Sequence, residues 1–234
     1  MIRRIGFALL LVLIVFVPVS VRTEDELSVV QSAVSIIPYG DTYRVYCFAQ
    51  VHNDSQMIQG MSSGVFRLYN GETVIAEEEV DRLWPYYLEP GQSGYVFGTA
   101  VFNPDENGNP VMPYVTRLVY TFETMEMTVS ANSDSLYAEG TIERTGSGGY
   151  LLTMTVENTG ESMARNPVVA FGLYTQSGAM IYADGRQLEQ IGIAPGSTIE
   201  LRFPVGLQLA KQWDDYGVSP DEIIITASYR EDED

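Results

Sequence analysis

The chain has 234 residues, enough for two domains of about 100 residues after a leader. It carries 31 acidic against 13 basic residues, a formal charge of -18, and its arginines are scattered beside a single Lys211. That balance excludes a basic nucleic-acid footprint, and one cysteine, Cys47, excludes an intrachain disulfide.

Residues 1–23 read as an export signal or membrane anchor. Arg3 and Arg4 precede an apolar run from Ile5 to Val17, closed by Pro18 and Ser20. The run is shorter than the roughly 20 residues a spanning helix needs, which favours cleavage, while extension through Val21 keeps an anchor open. Either way the body is expected to be extracytoplasmic, secreted or anchored at the cell surface, with membrane contact only through this segment.

Beyond this segment the chain repeats itself. Val51 and Asn53 recur 105 positions on as Val156 and Asn158; Phe66, Leu68 and Tyr69 recur as Phe171, Leu173 and Tyr174. Leu83 recurs as Leu188, and Pro90-Gly91 as Pro195-Gly196. Near the end the offset grows by two, setting Pro113 on Pro220. A period near 100 residues is one small domain rather than a solenoid unit. Residues 27–130 and 135–231 are therefore expected to be two domains of one fold, with the boundary near Asn132–Ser135.

Within each copy, short alternating segments are separated by turns. Leu27–Ile37, Arg44–His52, Val65–Tyr69, Thr73–Glu78, Tyr95–Phe102 and Val115–Phe122 are predicted strands of the first copy. Tyr150–Glu157, Val168–Tyr174, Ala179–Tyr182, Ile199–Val205 and Ile223–Tyr229 are those of the second. Along Arg44–His52, Val45, Cys47, Ala49 and Val51 share one face. Asn70-Gly71 is a hairpin signal. About seven short strands per copy suit a two-sheet antiparallel sandwich, so the expected fold class is all-β: two tandem immunoglobulin-like β-sandwiches.

Phe66-Arg67-Leu68-Tyr69 and Phe171-Gly172-Leu173-Tyr174, with Val156 to Gly160 and Ala194-Pro195-Gly196 as framing turns, resemble the signature of the FxLYD domain family. Asn70 and Thr175 stand where that family has Asp. The resemblance implies a bacterial or archaeal extracytoplasmic β-sandwich module, commonly an accessory or surface domain without catalysis.

Catalytic chemistry finds few residues. His52 is the single histidine, and the second copy has Glu157 in its place. One His and one Cys cannot build a zinc set. Cys47 sits on the inward face, as a small hydrophobe would. Asp105-Glu106-Asn107-Gly108-Asn109-Pro110 has calcium-loop spacing, but Pro110 replaces the required glycine and Thr116 the closing glutamate. A looser cation site with Asp214, Asp215, Asp221 and Glu222 is a weaker expectation. Asn53-Asp54-Ser55 matches a glycosylation acceptor.

The aromatic residues that differ between copies are the candidate binding surface: Trp84, Tyr86 and Tyr87 in a loop, Tyr46 and Phe48 on a strand. They suit contact with a protein or a glycan; alternatively Trp84 covers the end of the first sandwich as packing, or the patch forms the junction with the second copy. No catalytic, cofactor-binding or metal residue is assigned. The expectation is a non-enzymatic cell-surface binding or scaffold protein, with a carbohydrate-binding or cation-dependent adhesion protein as its alternative.

Overall fold

The computed structural model describes residues 26–80, 82–128, 131–132 and 135–230. The expected signal or anchor at residues 1–23, residues 231–234 and part of the expected boundary lie outside the described residues. Among the described residues no helix is long and apolar enough to cross a membrane.

The chain is mostly β. The first half holds β1 (Leu27–Tyr39), β2 (Thr42–Asn53), β3 (Gln59–Asn70), β4 (Thr73–Glu79), β5 (Leu83–Trp84), β6 (Tyr87–Leu88), β7 (Ser93–Phe102) and β8 (Arg117–Glu126). The second holds β9 (Ala131–Asn132), β10 (Leu136–Arg144), β11 (Tyr150–Asn158), β12 (Ala164–Arg165), β13 (Val168–Tyr174), β14 (Met180–Gln187), β15 (Gly192–Ile193), β16 (Thr198–Val205), helix α1 (Leu207–Asp215) and β17 (Glu222–Arg230).

One sheet of the first half runs β1-β2-β7-β5; in the other, β3 pairs with β4, β6 and β8. The second half has β10-β11-β16 and β14-β13-β17-β9, with a short β12-β15 ribbon. Each half has an apolar core drawn chiefly from its own sheets. Val45, Cys47, Val51, Phe66 and Leu68 belong to the first; Leu152, Met154, Val156, Phe171 and Leu173 belong to the second. The alternation of β2 explains its burial: Val45, Cys47, Ala49 and Val51 are all 0% exposed.

The duplication reaches the hydrogen bonds. Asn53 is fully buried and donates from Nδ2 to the carbonyls of Met57 and Leu88, both at 2.8 Å. Asn158, equally buried, donates to those of Ser162 and Ile193, both at 2.7 Å. Its Oδ1 accepts the Gly160 amide, as Asn53 Oδ1 accepts that of Ser55. Every partner is displaced by the same 105 positions. Each asparagine fastens the end of a core strand to two loops, satisfying carbonyls that water does not reach freely. A register shift after Leu68 in the β3–β4 pair recurs after Leu173 in β13–β14.

The same core space is filled differently. Phe66 lies over Gly98, where an added Cβ would be 2.3 Å from its ring. In the second half Phe203 holds that position and meets Phe171 edge-on at 5.3 Å.

Helix α1 departs from the strand-only expectation. Leu209, Ala210 and Trp213 line its buried face. Trp213 packs on Tyr150 and Tyr182, at 5.7 and 6.3 Å between ring centroids. Gly217, at φ 65°, ends it, and the Val218 amide returns to the Trp213 carbonyl at 2.8 Å. In the first half, residues 103–116 carry no regular element, and Pro104, Pro110 and Pro113 punctuate them.

Candidate functional site

The two halves meet through a third apolar cluster. Ala33, Phe48, Trp84 and Tyr95 come from the first half; Val168, Ala170, Tyr174, Met180 and Ala183 from the second. The receiving face is the outer side of β13 and β14, and its closest approaches to the first half fall on small residues. A Cβ added to Gly172 would be 2.6 Å from Tyr95 Cε1, and one added to Gly185 would be 2.6 Å from Trp84 Cγ. Hence all seven residues of β13 are buried: one side faces the core, the other the first half. In the first half the position matching Gly172 is Arg67, which pairs with Glu77 in solvent.

Hydrogen bonds cross the same junction. Tyr95 and Tyr174 share one between hydroxyls at 3.2 Å, and the Tyr95 hydroxyl reaches the Ile224 carbonyl at 3.3 Å. The Tyr86 hydroxyl donates to Gln187 Oε1 at 2.8 Å. The Met180 amide donates to Gln31 Oε1 at 3.0 Å, and Gln212 Nε2 to the Ile36 carbonyl at 2.6 Å. Burial first, then the neighbouring Tyr174, pushes the Tyr95 hydroxyl well above its usual range, so it stays protonated and able to donate.

The candidate aromatic residues thus lie at this junction. Trp84 is 8% exposed, Tyr87 8% and Phe48 3%. Trp84 is enclosed by Tyr86, by Phe97 in parallel, and by Gly185, so it offers no open face for a sugar ring. Tyr46 and Tyr86 are half-buried and open onto two different clefts. One, of about 350 Å³, lies between Tyr86, Tyr87, Arg165, Gln187 and Tyr229. The other, of about 380 Å³, lies between Tyr46, Phe48, Phe97, Tyr182 and Asp184, with the start of α1 beside it. A third, of about 390 Å³, is bordered by Ile36, Tyr43, Met112, Lys211 and Tyr216.

Asp184 is the ionisable group that sequence reasoning missed. Its Oδ1 accepts the Gly185 amide at 2.7 Å and its Oδ2 the Tyr182 hydroxyl at 3.0 Å. Burial pushes its carboxyl above the ordinary range, against the lowering effect of those two donors and of Arg186. In sequence it is one more acidic residue on a strand, matching the exposed Glu79, and no motif marks it.

His52 has acquired a serine neighbour. Ser93 lies opposite it across β2–β7, with Oγ 3.0 Å from Nδ1, and Asp54 Oδ1 is 3.8 Å from Nε2. The carboxylate is beyond hydrogen-bond reach, and the serine contacts the nitrogen that a triad aspartate would hold. Neither His52 nor Ser93 lines any of the three clefts. Cys47 is in the first core, and burial pushes its thiol far up, away from the thiolate that reactivity needs.

The calcium-like loop closes on itself. Asp105 Oδ1 accepts the amides of Asn107 and Asn109, at 2.9 and 2.8 Å. Asp214 is bound to Arg144 by paired charge-assisted hydrogen bonds. Among the described residues no three His, Cys, Asp or Glu side chains converge as a metal site.

No protein-family model matches this sequence, and neither does any curated protein compared with it. Among solved structures, two of the exo-chitosanase CsxA of Amycolatopsis orientalis are similar at 14% and 13% identity, with TM-scores of 0.27 and 0.26. Each alignment covers 84% of this chain but 26% of the chitosanase chain. So loose an overlap assigns neither fold nor activity.

Proposed function

We propose that the chain is a non-catalytic, exported binding or scaffold protein of the cell surface, built of two FxLYD-like, immunoglobulin-like β-sandwich domains in tandem. The repeated asparagine clamp supports duplication of a single module: two buried amides with identically displaced partners are hard to reach independently. The observation that carries the scaffold role is the junction itself. The aromatic residues that distinguish the first copy lie against small residues that distinguish the second. Such a junction holds two modules in one mutual arrangement and leaves clefts along its rim, a common place for ligands. The apolar run at residues 5–17 supports export.

The test is capture from native cell-surface extract with the purified protein as bait, with and without calcium, read by mass spectrometry. Enrichment of one surface protein or glycan, lost in a Gly172→Arg variant, supports the reading. Turnover of a hydrolase substrate that disappears in His52→Ala overturns it.

A further inference from the structure

We propose that the cleft between Tyr46, Phe48, Phe97, Tyr182 and Asp184 binds a small organic ammonium group. The inference goes beyond the scaffold reading and names a ligand class for one rim of the junction. Two features converge in this cleft. Its walls are aromatic and come from both halves: Tyr46, Phe48 and Phe97 from the first, Tyr182 from the second. Phe48 and Tyr182 meet across the junction at 5.0 Å between ring centroids, inclined by 54°. Aromatic faces carry negative potential and attract a cation that has shed part of its water.

The second feature is Asp184. It is half-buried, makes no ion pair among the described residues, and has two fixed donors, from Tyr182 and Gly185. A carboxylate has about four acceptor sites, so capacity remains for an N–H donor or for the diffuse charge of an alkylated ammonium. The folded protein holds this charge against desolvation that Arg186, without an ion pair to it, offsets only in part; an ammonium ligand would supply a cation in contact. The start of α1 borders the cleft without a capping side chain, and a helix start carries roughly half a positive charge. Against it stand the Asp184 carboxylate and the four rings of the lining. The chain's charge of -18 also draws cations toward the surface.

A free quaternary ammonium and a lysine side chain of a partner polypeptide share this chemistry, and the assay separates them. Choline, the uncharged carbon isostere of choline, and acetyl-lysine amide are titrated calorimetrically into the purified protein. Choline or the lysine amide is expected to bind at least about tenfold more tightly than the isostere, the scale of a desolvated cation–π contact. A preference for choline indicates a free quaternary ligand, and a preference for the lysine amide a polypeptide. Asp184→Asn and Tyr46→Leu should each remove the cation preference, with near-ultraviolet circular dichroism unchanged as the check of fold. Failure of both cations to bind more tightly than the isostere, or undiminished binding by Asp184→Asn, overturns the proposal. A protein that ignores these probes yet captures a surface partner keeps the scaffold reading and loses this one.

Discussion

Gly172 is the position at which the junction is most exposed to test, because the first copy supplies the natural replacement. An alanine there puts a methyl 2.6 Å from Tyr95 Cε1 and 2.9 Å from both Tyr95 Cζ and Tyr174 Cε2, where ordinary contacts begin near 3.4 Å. Tyr95 is fully buried and bonded through its hydroxyl to Tyr174 and Ile224, so its ring cannot withdraw without loosening those contacts. Overpacking of this kind costs about 1–3 kcal/mol. The entropic gain of replacing glycine offsets roughly 0.4–1 kcal/mol. Gly172→Ala should therefore destabilise by about 1–2 kcal/mol. Gly172→Arg, which restores the residue of the first copy, cannot be housed and should part the halves while sparing each core. The two tryptophans divide the readout, since Trp84 is at the junction and Trp213 is in the second core. In a Trp213→Phe background, Trp84 emission should move to longer wavelength in Gly172→Arg. Urea titration should show two transitions where the parent shows one. A parent-like midpoint together with parent-like emission would refute the small-residue account of the junction.

Asn158→Ala leaves one buried and one part-buried carbonyl without their donor, and Asn53→Ala does the same in the first half. Each should cost about 1–3 kcal/mol by urea denaturation, chiefly for the one carbonyl that water does not reach. By the same geometry Asn53 cannot carry a glycan in the folded chain, despite its acceptor pattern. Intact mass after expression in a glycosylating host should show none on native protein. Asp184 titrates higher folded than unfolded, so over that window the folded state keeps a proton the unfolded chain has lost. Stability then falls as pH rises from about 3.9 to the raised value and is level above it. Asp184→Asn should flatten that slope and gain most relative to the parent at neutral pH, as thermal midpoints across pH would show. Gln59 is fully buried with neither amide atom partnered, and the second half has Ala164 in its place. Gln59→Met should raise stability by about 1–3 kcal/mol, and a lowered thermal midpoint would contradict this.

The β character was legible because burial imposes period two on an amphipathic strand; β11 keeps it without a break, and β2 departs from it at Phe48, which the junction buries. The repeat was legible because a fixed offset leaves gapless matches, and the asparagines among those matches prove to be buried clamps. In sequence they read as turn residues, since Asn before Gly or Asp is the ordinary turn signal. Helix α1 was missed for a related reason. Leu209, Ala210 and Trp213 have helical spacing between Gly206 and Gly217, but the two-residue change of offset reads equally well as a longer loop. The aromatic candidates were found by difference between copies. Their enclosure at the junction depends on Gly172 and Gly185, whose function is to be absent where another residue's ring must go, and a missing side chain leaves no chemical mark in sequence.

The two halves present corresponding outward faces, and these differ in character. Around β3 the face kept Arg67 and Glu77, and it stays in solvent. Around β13 it carries Ala170, Gly172, Ala183 and Gly185, and it receives the first half. The aromatic cleft is a product of that divergence, because three of its ring walls belong to one half and the fourth, with Asp184, to the other. Binding there should consequently depend on docking as well as on the lining. Gly172 does not line the cleft, so Gly172→Arg tests this dependence directly. If the cleft is made by the junction, that variant loses choline binding together with the Trp84 shift. If it binds choline as the parent does while the halves have parted, the site belongs to one half alone, and the junction serves geometry only.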